Sequence, residues 1–598
     1  MDTLIKVVLL CPLFLVGCDC EDKKGGIFGS SCSKPPSTPS EETGPLSAFN
    51  LTSIEAVAGQ SKTLIFSWEP SENAESYTLC RKNTALENNC ESLSSEITTT
   101  QHTITLSEVM VPNLLSDDFF ILAMNSTNKL AGSEGNIDFN TYSELTSYIK
   151  ASTIGDGDRF GGSVTISADG QTLAIGAYYE DSSDANDETN NSASNSGAVY
   201  IFTLSNNVWV QQSYLKASNV DVDDEFGVRL SLDANGQTLA VGVPDEDSAD
   251  QTTPLDNTDT ESGAVYIFER SGDSWAQTAY LKASNAEQDD LFGMAVSLSA
   301  DGETLAVGSI GEDSNDLNNS SDNAAPSSGA VYVFTSSSGV WSETAYLKAS
   351  NLDSSDSFGS VVALSDDGQV MLVTSPYEAS GDPNDASNDT LVASGAAYIF
   401  TRSGNAWSEQ GYLKASNLEF IDIYGFRGAI SGDGETFVVT TTEEDSEDPN
   451  DENNNNASSS GAAYVYTVSG GVWSQQAYLK AQDPDVGDFF GSSVDITTDG
   501  DRITIGAIGD KSTVFNDPTD NSGATNGAVY VFARSGNIWS QEAFIKANVI
   551  DTDDQVGVSV SLSGDGNTLV FGSMLEDSAD ADDQTNNAFD TAGAVYIF

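Results

Sequence analysis

One pattern recurs seven times along this chain at an interval of 66 residues. Each copy opens on an F-G-like pair, starting at Phe160, Phe226, Phe292, Phe358, Tyr424, Phe490 and Val556. It passes a D-G turn and a T-L-A-V-G-like run, then crosses an acidic segment. It reads G-A-V-Y-I-F from Gly197, Gly263, Gly329, Gly395, Gly461, Gly527 and Gly593. It closes on a Trp and Tyr-Leu-Lys-Ala-Ser. Repeats of this length without helical periodicity bury their apolar faces by stacking, as propeller blades or arrays of small β units do.

The second copy shows the strands. Phe226, Val228, Leu230 and Leu232 alternate with Gly227, Arg229 and Ser231, the period of a half-buried strand. Asp233-Ala234-Asn235-Gly236 is a tight-turn sequence, and Thr238 to Val243 is a strand apolar enough to be covered on both faces. After the acidic segment come a third strand, Gly263 to Phe268, a Ser271-Gly272-Asp273 turn, and a fourth, Trp275 to Lys282. Four strands in each of seven copies predict an all-β chain with a seven-bladed β-propeller over 146–598. Trp209, Trp275, Trp341, Trp407, Trp473 and Trp539 recur in register and read as packing between blades. The last copy stops at Phe598 without a fourth strand, while 146–152 is a fourth strand without a copy. Joining them would close the ring and remove its open edges.

Composition narrows the chemistry. The formal net charge is −68, from 23 basic and 91 acidic residues, which argues against nucleic acid and anionic lipid surfaces as partners. The single His, His102, and all six Cys precede the repeats. No Ser-His-Asp or Cys-His nucleophile and no His/Cys zinc site is available within them. Carboxylates and oxygen-ligated cations remain.

Residues 1–17 read as an export signal: a short apolar run, Val7 to Val16, follows Lys6 and is too short to span a bilayer. The run ends Leu15-Val16-Gly17-Cys18, which resembles the lipobox of bacterial lipoproteins. That resemblance implies cleavage before Cys18, its lipidation and stable membrane anchoring through the lipid alone, either at the outer membrane and cell surface or at a periplasmic face. The Pro/Ser/Gly-rich stretch through residue 45 reads as a stalk. From 46 to 145, short alternating runs such as Leu64-Ile65-Phe66-Ser67-Trp68 predict a small β-sandwich. Trp68, Tyr77 and Phe120…Asn125 resemble the fibronectin type III fold. Cys80 and Cys90, ten apart, are expected to form a disulfide in an oxidising compartment.

Over about 146–598, the F-G pair, the strand ends Gly176-Ala177 and Gly242-Val243-Pro244, and G-A-V-Y-I-F resemble FG-GAP repeats, the blades of the integrin α-subunit propeller. The resemblance implies a binding or adhesion protein. Integrin-type blades often carry a D-x-D-x-D-G-x-x-D calcium loop between strands 1 and 2. Here that turn, Ser167-Ala168-Asp169-Gly170-Gln171-Thr172 and its equivalents, has too few carboxylates for a Ca²⁺ cage.

The carboxylates concentrate elsewhere. Alternating strand direction puts the long 2–3 loops and the 4–1 connections on one face of the disc. The 2–3 loops carry Glu180-Asp181-Ser182-x-Asp184-x-x-Asp187, and again Glu444, Asp445, Asp448, Asp451 and Glu576, Asp577, Asp580, Asp583. This spacing lets one loop wrap a hard cation, so these twelve are candidate Ca²⁺ ligands; a solvated acidic loop is the plainer reading. An Asp stands two residues before every opening pair: Asp158, Asp224, Asp290, Asp356, Asp422, Asp488 and Asp554. Seven of the 23 basic residues hold one strand-4 position: Lys150, Lys216, Lys282, Lys348, Lys414, Lys480 and Lys546. A repeated structural Lys–carboxylate contact is expected, with that Asp or the loop Glu as partner.

The expectation is a non-catalytic, envelope-anchored binding protein with a protein or glycan ligand at the loop-rich acidic face. The alternatives are a carboxylate-based glycan-active enzyme and a scaffold in an envelope assembly. The loop centres, such as 251–261 and 317–328, do not repeat, as a specificity surface requires.

Overall fold

The computed structural model describes residues 44–106, 117–316, 320–382, 385–515, 517–581 and 583–598. The expected export signal, Cys18 and nearly all of the stalk lie outside the described residues.

Two sheets form first along the chain. One pairs Leu51–Ala56, Thr63–Trp68 and Gln101–Thr105. The other orders Cys90–Ser92, Ser76–Lys82, Phe119–Met124 and Lys129–Ala131. Leu64, Phe66 and Trp68 alternate inward against Tyr77, Leu79, Phe119 and Ile121, giving one core between the sheets. Cys80 and Cys90 are joined by a disulfide across the second sheet.

Seven further four-stranded antiparallel sheets follow among the described residues. In the second, Arg229–Leu232, Thr238–Val243, Ala264–Ser271 and Ser274–Leu281 pair in sequence order. Each inner strand packs on the inner strand of the next sheet, and the seventh packs on the first. The ring is closed within its last sheet: Val556–Leu562, Leu569–Ser573 and Ala594–Ile597 accept Ser147–Ile149 as the fourth strand. No edge is left where the chain ends meet.

The second and third strands are covered on both faces, as their unbroken apolar sequence demands. The core therefore sits between sheets. Val199, Ile201 and Leu215 of the first meet Phe226, Leu239, Val241 and Tyr266 of the second. The recurring Trp residues pack at the margins of these layers.

The F-G pair does not begin the inner strand in the second sheet, where pairing starts at Arg229. Gly227 has φ +102°, which interrupts extended backbone. Phe226 is instead buried between sheets, and its N–H donates to Ser196 O at 3.1 Å. This backbone bridge recurs: Phe292 N–H to Ser262 O, and Phe358 N–H to Ser328 O. The Gly opening G-A-V-Y-I-F is needed for this approach. A Cβ on Gly263, at φ +77°, would lie 2.0 Å from Phe292 O.

The sandwich is seated on the ring. Helix Phe139–Leu145, capped by Asp138, carries Tyr142, whose ring lies 4.8 Å from Phe515 and 6.0 Å from Phe598. Ser61 N–H donates to Asn207 O at 2.9 Å, and Lys62 Nζ donates to Asn567 O. One apolar cluster runs from Trp68 to Phe598 through this junction.

Gly263→Ala should cost about 2–5 kcal/mol, from a left-handed backbone plus a backbone clash that no rotamer relieves. Equilibrium denaturant unfolding measures it. A loss below about 0.5 kcal/mol would mean the sheets do not meet through this contact.

Candidate functional site

At the loop end of each sheet the strand-4 Lys is buried and points to the root of the 2–3 loop. Lys216 Nζ donates to Glu180 Oε2 at 2.9 Å, to Ser196 Oγ at 2.8 Å and to Gly197 O at 2.6 Å. Lys282 meets Glu246 and Ser262, Lys348 meets Glu312 and Ser328, Lys414 meets Glu378 and Ser394, and Lys480 meets Glu444 and Ser460. Lys150, from the strand that closes the ring, meets Glu576. Across the seven sheets the Nζ–carboxylate distance is 2.5–3.0 Å. Burial pushes each Lys pKa down, and the carboxylate opposes it. The partner is the loop Glu in six sheets and Asp510 in the sixth.

The sixth sheet accommodates the shorter acid. In the second to fifth sheets the Glu also accepts from a strand-4 Tyr hydroxyl, from Tyr280, Tyr346, Tyr412 and Tyr478 at 2.7–2.9 Å. Phe544 replaces that Tyr in the sixth, and Asp510 accepts from the strand-3 Tyr530 at 2.9 Å.

The loop motif is built as nested turns. Ser182 Oγ accepts Asp184 N–H and approaches Asp184 O and Asp187 O, and Ser446 and Ser578 repeat this. Asp181 accepts Asn195 N–H and Asp445 accepts Ser459 N–H, each at 2.8–2.9 Å, which ties one end of the loop to the other. Asp184 accepts from Asn186, Asp187 from Thr189, Asp448 from Asn450, Asp451 from Asn453, and Asp583 from Thr585. The twelve candidate ligands therefore divide by role: Glu180, Glu444 and Glu576 face a buried Lys, while the exposed Asp residues organise turns. Among the described residues, no group of three or more His, Cys, Asp or Glu is arranged to hold a metal ion. Asp577 and Asp580 lie in the same loop as Glu576.

The Asp before each opening pair has a different task from the Glu. It is buried between two residues in left-handed backbone, such as Asp223 and Glu225 around Asp224. Its carboxylate accepts the N–H three residues back, from Gly155, Asp221, Glu287, Asp353, Glu419 and Asp485 at 2.8–3.2 Å. Burial pushes these carboxyls up to about 7 for Asp158, Asp290, Asp356 and Asp554, about 8 for Asp224 and Asp422, and about 6 for Asp488. The neighbouring Glu180 and Glu246 charges add to the rise at Asp158 and Asp224.

The repeat pattern did not mark one feature of this face. Tyr377, Val392, Phe420 and Ile421 are 50, 56, 61 and 44 % exposed. Tyr377 and Val392 line one depression of about 580 Å³, and Ile421 N–H donates to Val392 O at 3.1 Å. Two repeats earlier the equivalents of Tyr377, Val392 and Ile421 are Asp245, Thr260 and Asp289. The signal was there as four apolar letters in polar positions, but that Tyr377 and Val392 share a depression needed the fold.

The FG-GAP repeat family matches this chain at residues 145–202, 209–268, 275–334, 341–400 and 473–532. The ring is accordingly an FG-GAP β-propeller. The unmatched fifth and seventh copies are those with Tyr424 and Val556 in place of Phe, yet they form the same sheet. Among solved structures, the chain is similar to hydrazine synthase of Kuenenia stuttgartiensis: 13 % identity, TM-score 0.41, covering 71 % of this chain and 94 % of that one. It is also similar to the periplasmic gluconolactonase of Pseudomonas aeruginosa: 11 % identity, TM-score 0.38, covering 72 % and 92 %. No curated protein sequence matches.

Lys282→Met strands a buried Glu246 and should cost about 3–5 kcal/mol; adding Glu246→Gln should recover much of it in denaturant unfolding. Equal stability of Lys282→Met and wild type would mean the pair holds nothing. The Asp carboxyls set a pH dependence. Their folded pKa values exceed the unfolded value of about 3.9, so the folded state binds more protons between the two. Their contribution is full below about pH 4 and is lost as pH rises through 6–8. The melting temperature should fall by several degrees from pH 5 to pH 8, and Asp224→Asn should flatten that slope. An unchanged slope in Asp224→Asn would assign it to general charge repulsion.

Proposed function

We propose that this chain is a non-catalytic binding protein, tethered to a bacterial envelope through a lipid on Cys18, with its ligand on the loop face of the FG-GAP propeller. The observation that carries the reading is a run of exposed apolar side chains on an otherwise acidic face: Tyr377 and Val392 line one depression, and Ile421, next to Phe420, is bonded through its backbone to Val392. Exposed apolar side chains rimmed by polar loops mark contact surfaces, and aromatic members supply stacking area for a protein or a sugar ring. The frame beneath is rigid, because each loop root is fixed by a buried Lys. Loop centres are then free to differ without moving their neighbours.

The non-catalytic part rests on the carboxylates. Glycoside chemistry needs an acid of raised pKa paired at a set distance with a second carboxylate in a pocket. Here seven of the raised-pKa acids are turn clamps that recur once in every sheet. The small sandwich, three strands against four, accords with a fibronectin type III-like spacer that lifts the ring from the membrane. Ca²⁺, on this reading, would act through the exposed Asp residues of the loops rather than through Glu180, Glu444 or Glu576.

Cells displaying the full chain, presented to protein and glycan arrays, test the main claim. Binding to a ligand should fall more than tenfold in the Val392→Ser/Phe420→Ser double variant, with an unchanged melting temperature. Undiminished binding would remove the patch as the ligand site. Titration of the full chain with Ca²⁺, against Mg²⁺ and chelator, tests the cation. A saturable rise in melting temperature is expected if the loops bind it, and no heat and no shift would leave the acidic loops as solvated spacers.

A further inference from the structure

The seven inner strands line an axial cavity of about 230 Å³. One position two residues after each opening Gly faces the equivalent position of the other six: Ser163, Arg229, Ala295, Val361, Arg427, Ser493 and Ser559. The three Ser hydroxyls donate to the Gly carbonyl of the adjacent sheet, Ser163 to Gly227 at 2.5 Å, Ser493 to Gly557 at 2.7 Å and Ser559 to Gly161 at 2.8 Å. Small residues at this position thus serve the ring. The two Arg do not. They stand three sheets apart in a ring of seven, so they enter the cavity from opposed walls.

Neither guanidinium has an ion pair among the described residues. Arg229 donates through Nε to Met294 O at 2.8 Å and through Nη1 to Val228 O at 3.1 Å. Arg427 donates through Nη1 to Phe426 O at 2.9 Å and lies 4.2 Å over the Phe426 ring. Arg502 and Arg534, by contrast, each hold a carboxylate at 2.8 Å and do not line this cavity. In a chain with 91 acids, two half-buried Arg without carboxylate partners are a departure that charge balance does not explain. The nearest acids to Arg229, Glu225 and Asp245, lie beyond ion-pair distance, and burial pushes them up to about 7 and about 6. Burial, and then the Arg229 charge, holds Arg427 down to about 9. A confined pair of like charges with spare N–H donors is half of a site.

We propose that this axial cavity binds a small oxyanion, of the phosphate or carboxylate class, between the guanidiniums of Arg229 and Arg427. A guanidinium presents a planar fork of N–H donors that matches such an oxyanion two bonds at a time. The cavity has room for one small anion and a few waters, at about 30 Å³ per water. The net negative surface does not forbid entry, because charges more than about 8 Å away are largely screened at physiological salt. Inside, lower dielectric strengthens attraction to the two cations. This site is independent of the loop-face patch, which lies at the rim.

The test is calorimetry and thermal melting of the full chain with inorganic phosphate, sulfate and citrate, each against chloride at equal ionic strength. A saturable heat and a rise in melting temperature over chloride are expected for at least one of them. Arg229→Met and Arg427→Met should each weaken that binding at least tenfold, and the double variant should abolish it. Phosphate or sulfate acting without citrate assigns the phosphate class, and citrate alone assigns carboxylates. No response to any of the three, or an equal response in the double variant, overturns the proposal. Should the double variant not fold, selenate-soaked crystals of the wild type decide: anomalous density between the two guanidiniums upholds the site, and its absence there overturns it.

Discussion

A buried ammonium at the loop end of every sheet is the constraint on which the rest of this ring rests. In the first five sheets the Lys reaches from the end of the outer strand to an acid at the start of the 2–3 loop and to the Ser just before the third strand; in the sixth and seventh it meets the loop acid. In those five, three chain segments are thereby held at one point. Burying two charges costs several kcal/mol per ion, and the pair recovers that only with good geometry and further hydrogen bonds. Both conditions are met here: the ammonium donates to the carboxylate and to a Ser hydroxyl, and the carboxylate also accepts a Tyr hydroxyl in sheets such as the second. A hydrophobic substitute of equal volume could match the stability. It could not fix where a long acidic loop leaves and rejoins the sheet.

The sixth sheet shows that the network is selected as a unit. Asp510 is one methylene shorter than Glu, and its withdrawal leaves the strand-4 Tyr hydroxyl without an acceptor. The chain has Phe544 there, and the freed carboxylate oxygen takes Tyr530 instead. In the second to fifth sheets that strand-3 Tyr donates to an Asn, as Tyr266 does to Asn219 at 2.8 Å. Two substitutions and one change of partner thus answer one another, because a buried polar group left unpaired costs more than its hydrogen bond was worth.

Most of this fold was legible in the sequence, because a 66-residue period repeated seven times overdetermines strand identity and ring closure. The Lys position was also legible: rare basic residues recurring in one register signal burial with an acid. Its partner was not, since an acid stands both at the loop position and at the connection position in every copy. The structure separates them by reach, giving the Glu to Lys and the Asp to a local N–H between left-handed residues. In the second sheet the opening F-G pair precedes the paired strand although its alternation matches period two, because Gly227 at φ +102° turns the backbone to bridge adjacent sheets; in the third, sixth and seventh the pair opens the strand as expected. The carboxylate spacing in the loops looked like a cation cage for a related reason. Residues two or three apart wrap a metal or close an Asx turn equally well, and only backbone geometry distinguishes the two.

A strict repeat also changes where function can be looked for. Any residue present in all seven copies is accounted for by the frame, as the Lys, Asp, Ser and Gly positions are. Residues with a role of their own must stand where the copies disagree and where a change leaves the frame intact. Arg229 and Arg427 satisfy both conditions on the axis, at a position that elsewhere holds Ser, Ala or Val. Val392 and Phe420 satisfy them at the rim, in loops whose ends are pinned independently of their centres. Sevenfold redundancy supplies rigidity, and rigidity is what lets two unrelated departures, one buried and one exposed, persist without disturbing each other.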